Sequence, residues 1–530
     1  MTGTGHVGQA THRSAAPTSP AARDLYSGRP PTPTSLLAGA VDRYPNRPLL
    51  IDPVLARRVS YTEFAQLVGA AAASLLRLGA APGDRVALAA RNGLEAAVGI
   101  WACAHAGLIY LGLPPDGPAA RTEDLLTLTE PAVVLAQPEL VAGLPARTHV
   151  RDAAEVLLAG GPAICAAPAQ ESTTYMLIPT SGSTGGRPKA VRVTGAMLGH
   201  AAVGYADLLG LGPGDSTAIH LPFGWVSGHV TQLAPTMLTG GTAVSMPSFS
   251  AAELISTAAT HHVTWLDVVP SMWELLLRAD AFNRNGLPQI RAAVFGGSPA
   301  RPGTLARVRA ALPGIALHDV YAQSETCAPV TVLSDRESSQ FPGSVGRPLP
   351  YATVRIVGPD GENRPEGDVG LVQVRSPATT PGYWGVDAPP VTADGWLQTA
   401  DLGRLEAGVL TLAGRSTGLI IRGGVNVAPA QVEQALLSSG QLSDAAVIGL
   451  PGGVAGEQVA AAVVAAPDVA PDLHALRTAV AETVGLHAVP RPLVVLAGLP
   501  RNAHGKVDTT ALVPLLAAAA ARARGGGDPG

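Results

Sequence analysis

The sequence predicts an α/β protein with a large N-terminal domain of largely parallel α/β sheets, a small β-barrel-like unit within it, and a small α+β C-terminal domain. The chain has 530 residues, which is too long for a single hydrophobic core. Short β-rich apolar runs alternate with Ala/Leu-rich stretches, a pattern typical of parallel sheets covered by helices. After about residue 340 the pattern changes to short strands separated by turn dipeptides, which indicates the smaller β-rich unit.

In chain order, residues 1–32 are rich in Ser, Thr, Pro and Gly without periodicity, so we expect a disordered leader. The N-terminal domain is predicted to span 33–414. A helix is expected over FAQLVGAAAASLLRLGA, residues 64–80. Strands are expected at VALAA (86–90), AVVLA (132–136), YMLIPT (175–180) and AAVFGG (292–297).

The second part of the chain begins with three short predicted strands, in TVRIVGPDG, GLVQVRS and GVLTLAGR. An αβ segment follows, and we place the C-terminal domain at 415–517. Residues 518–530, which end in RGGGDPG, are expected to form a disordered tail.

Charge and composition limit the partners of this protein. The net charge is −4, so no basic excess is present to attract nucleic acid or an anionic membrane. No apolar run approaches the length of a membrane span. The cysteines Cys103, Cys165 and Cys327 lie far apart and show no CxxC spacing, which argues against a disulfide framework or a metal site. We therefore expect a cytoplasmic protein with small-molecule partners.

Lysine is unusually scarce. The chain contains 36 basic residues, of which only Lys189 and Lys506 are lysines. Arginine replaces lysine readily on a solvated surface, but not where a compact ammonium must reach a phosphate. Both lysines are therefore candidate site residues. The alternative explanation, for either lysine alone, is that it survived by chance on the surface.

The strongest local signal follows the predicted strand YMLIP and reads TSGSTGGRPKAV. Glycines let the backbone turn its N–H groups toward an anion, hydroxyls add donors, and the lysine adds charge. The GxxxxGK[ST] pattern of a Walker A loop is absent. A flexible linker is the alternative interpretation of so Gly/Ser-rich a stretch.

This segment resembles the phosphate loop of the adenylate-forming superfamily, which includes acyl-CoA synthetases, aryl-acid ligases, peptide-synthetase adenylation domains and beetle luciferases. The resemblance covers roughly residues 35–515. It implies ATP as a cofactor, with the phosphates bound by Thr180, Ser181, Gly182, Ser183, Thr184, Gly185 and Lys189.

Further motifs of that superfamily follow in the expected order. YAQSET (321–326) resembles the segment in which Tyr321 would stack on adenine, Thr326 would contact the α-phosphate and Glu325 would hold Mg²⁺. In GWLQTADLGRL, the resemblance implies that Asp401 accepts hydrogen bonds from the ribose hydroxyls. In the segment 414–433, the resemblance implies that Arg415 contacts the ribose or a phosphate.

LPRNAHGKVD resembles the C-terminal lysine motif, which makes Lys506 the catalytic lysine that bridges the attacking carboxylate and the α-phosphate. The C-terminal domain would then be a mobile lid. The hinge position two residues after Arg415 is usually Asp or Lys in the superfamily, whereas here it is Thr417, followed by Gly418. Glycine tolerates the backbone change that a hinge needs, so thioester formation remains the favoured second step.

The acyl pocket is predicted around LPFGWVSGH (221–229), which is similar to the acetyl-CoA synthetase version of the pocket motif. Peptide-synthetase adenylation domains usually have an Asp shortly after the corresponding phenylalanine. Here Phe223 is followed by Gly224 and Trp225, so an α-amino acid substrate would have no evident counterion. Ala322 occupies a position that is commonly Gly in the superfamily and Trp in acetyl-specific enzymes. The resemblance therefore implies a pocket that one methyl group narrows without closing, which favours a small to medium or aryl acid. The expected substrate-binding residues are Trp225, His229, Val268, Phe295, Gly296, Gly297, Ser298 and Ala322.

The predicted function is adenylation of a carboxylic acid to acyl-AMP and pyrophosphate, with CoA as the acceptor. A free-standing carrier protein, an amine, or nitrite activated for diazotisation is the alternative acceptor. A non-catalytic nucleotide- or acyl-binding protein is the alternative from another class. The carboxylate needs no base to attack, so His261 and His262 are interpreted as solvated or core residues.

Overall fold

The computed structural model describes the greater part of the chain. The described residues are 30–115, 119–146, 148–167, 170–180, 189–279, 287, 289–297, 300, 302–386, 390–415, 420–422, 425–427, 429–451, 457–501 and 507–525.

Strands and helices are numbered separately along the chain. The strands are β1 Pro48–Asp52, β2 Arg57–Ser60, β3 Arg85–Ala89, β4 Ile109–Leu113, β5 Val133–Ala136, β6 Val150–Asp152, β7 Thr174–Thr180, β8 Lys189–Thr194, β9 Ser216–Ile219, β10 Thr242–Ser245, β11 Trp265–Val268, β12 Ala292–Gly296, β13 Ala316–Tyr321, β14 Thr331–Leu333, β15 Arg347–Pro348, β16 Thr353–Val357, β17 Gly370–Arg375, β18 Leu397–Glu406, β19 Val409–Arg415, β20 Ile420–Arg422, β21 Val425–Val427, β22 Leu442–Pro451, β23 Glu457–Ala465 and β24 Leu493–Val495.

The α-helices are α1 Pro33–Arg43, α2 Tyr61–Arg77, α3 Leu94–Ala106, α4 Ala119–Thr129, α5 Ala153–Leu157, α6 Gly195–Leu209, α7 Ala234–Thr239, α8 Ala251–Thr260, α9 Pro270–Arg278, α10 Pro302–Ala311, α11 Pro429–Leu437, α12 Leu473–Thr483 and α13 Thr509–Gly525. Short 3₁₀ turns occupy Pro138–Gly143 and Leu486–Ala488, and a π-helix runs over Val226–Leu233.

The described chain divides into two compact units. The first runs to Val354 and includes Val374–Leu397, whereas the second contains Arg355–Gln373 and continues from Gln398. The predicted boundary between residues 414 and 415 stays a prediction, as does the mobility of the C-terminal domain.

The first unit is built on two sheets. The larger has the order β15-β14-β13-β12-β11-β9-β10-β1-β2, and the other has the order β6-β5-β3-β4-β7-β8. Their inner pairs are parallel, while β2, β8, β14 and β15 pair antiparallel to their neighbours. The expected parallel α/β layers are confirmed, with antiparallel strands added at the edges.

Helix positions in this unit follow from local sequence signals. Ser60 and Glu63 form a capping box that starts α2, with Ser60 Oγ accepting from the Glu63 backbone N–H at 3.2 Å. Helix α3 is apolar on nearly every side and is buried as a whole. It ends at Gly107, whose φ of 72° is left-handed. The helices thereby bury a core that includes Phe64, Trp101 and Met176.

The second unit contains a β-rich part and an α+β part. In the β-rich part, the sheet order β16-β17-β18-β19 follows the chain. This is the segment that the sequence predicts as a barrel-like unit. In the α+β part, α11 and α12 cover one side of the sheet β22-β23-β24 through Val432, Leu436 and Leu476. Leu512 and Leu516 of α13 pack with another cluster of the same sheet.

No helix in the described part of the chain is both long enough and apolar enough to cross a membrane.

Candidate active site

The hairpin β7/β8 brings the two ends of the predicted phosphate loop together. Thr180 is the last residue of β7, Lys189 is the first of β8, and the two are partners in the antiparallel register. Strand pairing therefore fixes the positions of the two ends of the loop. The remaining predicted phosphate-binding residues, Ser181, Gly182, Ser183, Thr184 and Gly185, lie outside the described residues.

Lys189 and Glu325 are connected by a tyrosine. The Nζ atom of Lys189 lies 4.8 Å from the centroid of the Tyr383 ring, and the Tyr383 hydroxyl donates a 2.7 Å hydrogen bond to Glu325 Oε1. Burial, followed by the charge of Glu325, raises the pKa of Tyr383 well above its ordinary value, so the phenol keeps its proton. The Lys189 ammonium and the Glu325 carboxylate, which come from distant parts of the chain, thus both contact the Tyr383 side chain.

Sequence reasoning missed Tyr383. Its signal was the aromatic pair in PGYW (381–384), which stands in a loop and in none of the superfamily motifs identified above. In the structure it forms an isolated antiparallel bridge with Val191.

The YAQSET segment forms a tight turn after β13. The Thr326 hydroxyl lies 3.1 Å from both the Gln323 carbonyl and the Ala328 carbonyl, and the side chain is 1 % exposed. Cys327 follows with a φ of 56°, a left-handed conformation that is unusual outside glycine. Thr326 therefore braces the turn that presents Glu325, and its contact with an α-phosphate stays a prediction.

Several predicted residues meet at the carboxyl ends of β12 and β13. Gly296 is paired with Val320, and a Cβ atom added to Gly296 would lie 2.5 Å from the Val320 carbonyl oxygen. Tyr321 ends β13, and Ala322 follows it. Carboxyl ends of parallel strands are the usual ligand-binding edge of an open α/β sheet.

Gly297 extends the same edge with a φ of 79° and is exposed. Ser298 lies outside the described residues. Asp319, opposite Phe295 in register, is a carboxyl that sequence reasoning missed. Burial raises its pKa to about 7.

Trp225 lies in a segment that is fixed from both sides. The Asn92 side chain accepts from the Phe223 backbone N–H at 2.8 Å and donates to the Leu221 carbonyl at 2.8 Å. Trp225 then caps the π-helix Val226–Leu233. π-helices often occur at functional sites, which supports the prediction that this segment belongs to the site. Asn92 was not predicted, because nothing local distinguishes it from a turn residue.

Three predicted substrate-binding residues are core side chains in the structure. His229 is fully buried, with its ring 5.5 Å from the Trp101 ring and 5.9 Å from the Tyr175 ring. Burial lowers the pKa of His229 to about 3, so it carries no charge with which to meet a substrate carboxylate. Val268 and Phe295 lie in a second buried cluster. A role for these three in an acyl pocket stays a prediction that requires the pocket to open.

A buried carboxyl stands beside the π-helix. Asp267 on β11 accepts a 2.6 Å hydrogen bond from the Thr231 hydroxyl, which also lies 2.5 Å from the Ser227 carbonyl. Burial raises the pKa of Asp267 to about 7, and the bond from Thr231 offsets only part of that rise. The residue was missed because WLDVV has the pattern of an apolar strand.

His261 and His262 follow α8 and precede β11, at the amino end of that strand. Burial, followed by the charge of Arg58, lowers the pKa of His261. The His262 carbonyl accepts a 2.6 Å hydrogen bond from the Ser216 hydroxyl. They lie at the edge of the sheet opposite to Tyr321, in agreement with their interpretation as surface or core residues.

In the second unit, Asp401 and Arg415 face each other across β18 and β19. They are register partners, and Arg415 Nε lies 3.2 Å from Asp401 Oδ1. The Asp401 side chain is 14 % exposed and that of Arg415 is 61 % exposed. The ion pair orients Asp401, whose contact with ribose stays a prediction. Lys506, Thr417 and Gly418 lie outside the described residues.

The donors present suit a hard cation that is held together with phosphates. Among the described residues, no group of three or more His, Cys, Asp or Glu side chains could enclose a metal ion. Magnesium is commonly bound by one or two carboxylates plus substrate phosphates, and Glu325 supplies such a carboxylate. The residues therefore fit Mg²⁺ bound with a nucleotide better than a dedicated metal site.

Comparisons with known families match both parts of the chain. The family described as AMP-binding enzyme matches residues 37–384, and the AMP-binding enzyme C-terminal domain matches residues 431–506.

Curated relatives align over most of the chain. The sulfoacetate–CoA ligase of Cupriavidus necator is 30% identical, over 91% of this chain and 97% of its own length. The indoleacetate–CoA ligase of Aromatoleum aromaticum is 29% identical, over 91% and 95%. The salicyl-AMP ligase/salicyl-S-ArCP synthetase of Mycobacterium tuberculosis is 30% identical, over 93% and 92%.

Solved structures share the fold. The o-succinylbenzoate CoA synthetase of Bacillus subtilis in complex with the acyl-adenylate intermediate OSB-AMP superposes with a TM-score of 0.77 at 27% identity, covering 90% of this chain and 96% of that one. ATP-bound MatB from Rhodopseudomonas palustris gives a TM-score of 0.81 at 24% identity, covering 91% and 99%.

Proposed function

Because the chain belongs to the family of AMP-binding enzymes, we propose that it uses ATP to adenylate a carboxylic acid and then transfers the acyl group to CoA. In the first step a carboxylate oxygen attacks the α-phosphorus and pyrophosphate leaves, which gives acyl-AMP. In the second step the CoA thiol displaces AMP from the acyl carbon and loses its proton, which gives the thioester.

The observation that carries this proposal is the shared contact of Lys189 and Glu325 with Tyr383. Attack of a carboxylate on a triphosphate brings negative charge toward negative charge, so positioned cations are the main catalytic need. Lys189 supplies one ammonium at the end of the loop, and Lys506 is proposed to supply a second. Glu325 would hold Mg²⁺, which would withdraw charge from the phosphate oxygens.

The acid is proposed to be small to medium in size, or an aryl acid. Ala322 follows Tyr321 at the carboxyl edge of the sheet, and Trp225 stands on the segment anchored by Asn92. The relatives named for sulfoacetate and indoleacetate act on acids of this range. A cytoplasmic location belongs to the same proposal, because the cysteines of the chain are free thiols.

A carrier protein is the second candidate acceptor. The relative named salicyl-S-ArCP synthetase supports it, since that name describes transfer to an aryl carrier protein. CoA is preferred because the sulfoacetate and indoleacetate relatives are both CoA ligases.

The test is ATP–pyrophosphate exchange with a panel of short-chain, aryl and long-chain acids, followed by mass spectrometry of products formed with CoA. We expect exchange with at least one short-chain or aryl acid, and an acyl-CoA product with the same acid. Exchange without thioester would redirect the proposal to a carrier protein, which would be tested with a free-standing aryl carrier protein. No exchange with any acid would contradict adenylation itself.

A further inference from the structure

Residues Thr380–Trp384 cover the edge of β8, the strand that starts with Lys189. The Trp384 N–H donates to the Ala190 carbonyl at 2.8 Å, and the Arg192 N–H donates to the Gly382 carbonyl at 3.1 Å. The Thr380 hydroxyl adds a 2.7 Å bond to the Arg192 carbonyl. Since β8 ends its sheet in the strand order, this segment extends the sheet by a short stretch of pairing. We call Thr380–Trp384 the bridging segment.

The bridging segment also holds Glu325 at two points. The Thr380 N–H donates to the Glu325 carbonyl at 2.7 Å, and the Tyr383 hydroxyl donates to Glu325 Oε1 at 2.7 Å. One bond fixes the backbone of the turn and the other fixes the carboxylate. A carboxylate held in this way keeps its second oxygen for a further ligand.

The Tyr383 ring contributes a separate contact with Lys189. At 4.8 Å from the ring centroid, the Nζ atom lies within the range of a cation–π interaction. Lys189 is otherwise exposed, so the ring limits the positions that a long and flexible side chain can take.

We propose that Tyr383 is a positioning residue that sets the separation between the loop lysine and the metal-binding carboxylate. Its hydroxyl orients Glu325 toward Mg²⁺, and its ring holds the Lys189 ammonium toward the phosphates. The inference rests on the proposed function, because it assumes that MgATP binds at this site. It goes beyond that function by assigning the coupling between the two groups to one side chain outside the predicted motifs.

Tyr383→Phe tests the hydroxyl alone, because phenylalanine keeps the ring and its packing. The measurement is binding of a fluorescent ATP analogue, titrated with Mg²⁺ and repeated in EDTA. We expect the half-saturating Mg²⁺ concentration to rise by about tenfold, since partners of metal-binding groups typically contribute 10- to 100-fold to metal affinity. Binding in EDTA should stay unchanged.

Tyr351→Phe is the matched control. It removes a phenol that donates a 2.9 Å hydrogen bond to the Pro329 carbonyl in the same unit. We expect its Mg²⁺ titration to match that of the wild type. Tyr383→Leu removes the ring as well, and it should weaken binding of the analogue even in EDTA.

A double-mutant cycle separates positioning from general packing. If Tyr383 acts through Glu325, then adding Tyr383→Phe to Glu325→Gln should change the Mg²⁺ dependence much less than adding it to the wild type. Equal effects in both backgrounds, or an unchanged Mg²⁺ titration of Tyr383→Phe, would overturn the positioning role. Failure of the wild type to bind MgATP would overturn this role together with the proposed function.

Discussion

Lys189 shows how much residue usage alone can reveal about a single side chain. Lys189 is one of only two lysines among 36 basic residues, which marked it as a site candidate, and the structure places its ammonium over Tyr383. The compact ammonium of lysine and the planar guanidinium of arginine are not interchangeable at a phosphate. Scarcity alone could not identify the ring or the carboxylate beside it, because both come from distant parts of the chain.

Lys506 is the residue on which we expect the rate of adenylation to depend most strongly. We expect Lys506→Ala to slow formation of acyl-AMP by about 100-fold or more, since loss of one positioned electrostatic group typically costs a factor of this size. ATP binding should largely survive. Single-turnover release of pyrophosphate measures the first quantity, and titration with a fluorescent ATP analogue measures the second.

Lys506→Arg is the companion variant, because it keeps the charge and changes the shape. We expect only partial recovery of the rate. Formation of acyl-AMP by Lys506→Ala at the wild-type rate would contradict the role assigned to this lysine.

Burial of Asp267 should make the stability of the protein depend on pH. Its folded-state pKa of about 7 lies above the ordinary value for aspartate, so the folded protein binds this proton more tightly than the unfolded chain does. The contribution to the free energy of unfolding is therefore fully present below about pH 4 and is lost as the pH rises through about 7.

Asp267→Asn removes this dependence, because an amide does not titrate and its oxygen can accept the hydrogen bond from the Thr231 hydroxyl at every pH. The free energy of unfolding of the wild type, relative to that of the variant, should fall between about pH 4 and about pH 7 by at most roughly 4 kcal/mol. Urea unfolding followed by tryptophan fluorescence measures it. Asp42→Asn, which removes an exposed negative charge on α1, controls for net charge. Parallel pH curves for wild type and Asp267→Asn would refute the prediction.

At the scale of elements, the centres of strands were predicted better than the ends of helices. The predicted strand 175–180 corresponds to β7, Thr174–Thr180, and the predicted strand 292–297 corresponds to β12. The helix predicted at 64–80 begins earlier in the structure, at Tyr61. The capping box at Ser60 is a local signal for that start, which the apolar periodicity alone does not include. The π-helix gave no such signal, because its hydrogen-bond pattern depends on the surrounding packing.

Gly112 and Gly224 form a close backbone contact. A Cβ atom added to Gly112 on β4 would lie 2.6 Å from the Gly224 Cα atom, next to Trp225. The neighbour in this contact is backbone, which cannot rotate away. We expect Gly112→Ala to lower the free energy of unfolding by about 1–3 kcal/mol, as overpacking of a core commonly does.

The control is Gly143→Ala, at the end of a 3₁₀ turn. A Cβ atom added there meets nothing within 4 Å. Its effect should stay within about 0.5 kcal/mol, as is usual for surface substitutions. Urea unfolding compares the two variants, and equal stabilities would refute the close contact. We also expect a raised KM for the acid in Gly112→Ala, since the strain falls next to Trp225.

At the scale of the whole molecule, binding of nucleotide should appear as stability. A ligand that binds only the folded state stabilises it by about 2.7 kcal/mol at a hundred times its dissociation constant. We therefore expect the Tm to rise progressively with MgATP concentration, measured by differential scanning fluorimetry. Mg²⁺ without nucleotide is the control and should give no comparable rise.

The Tm measurement, combined with pyrophosphate exchange, separates the enzyme from the non-catalytic alternative. A protein that only binds nucleotide would show the rise in Tm and no pyrophosphate exchange with any acid. A Tm that does not depend on MgATP would contradict both interpretations.

The sequence by itself determined the fold class and the family, and it predicted the types of chemical group at the site. Local periodicity indicates secondary structure, and the motif around Thr180 and Lys189 predicts an anion-binding turn. Tertiary structure alone decided that Tyr383 joins Lys189 to Glu325, that His229 is a core residue, and that Asp267 is buried beside Thr231. The physical reason is that these contacts join residues far apart in the chain, and burial depends on everything packed around a side chain rather than on its neighbours in sequence.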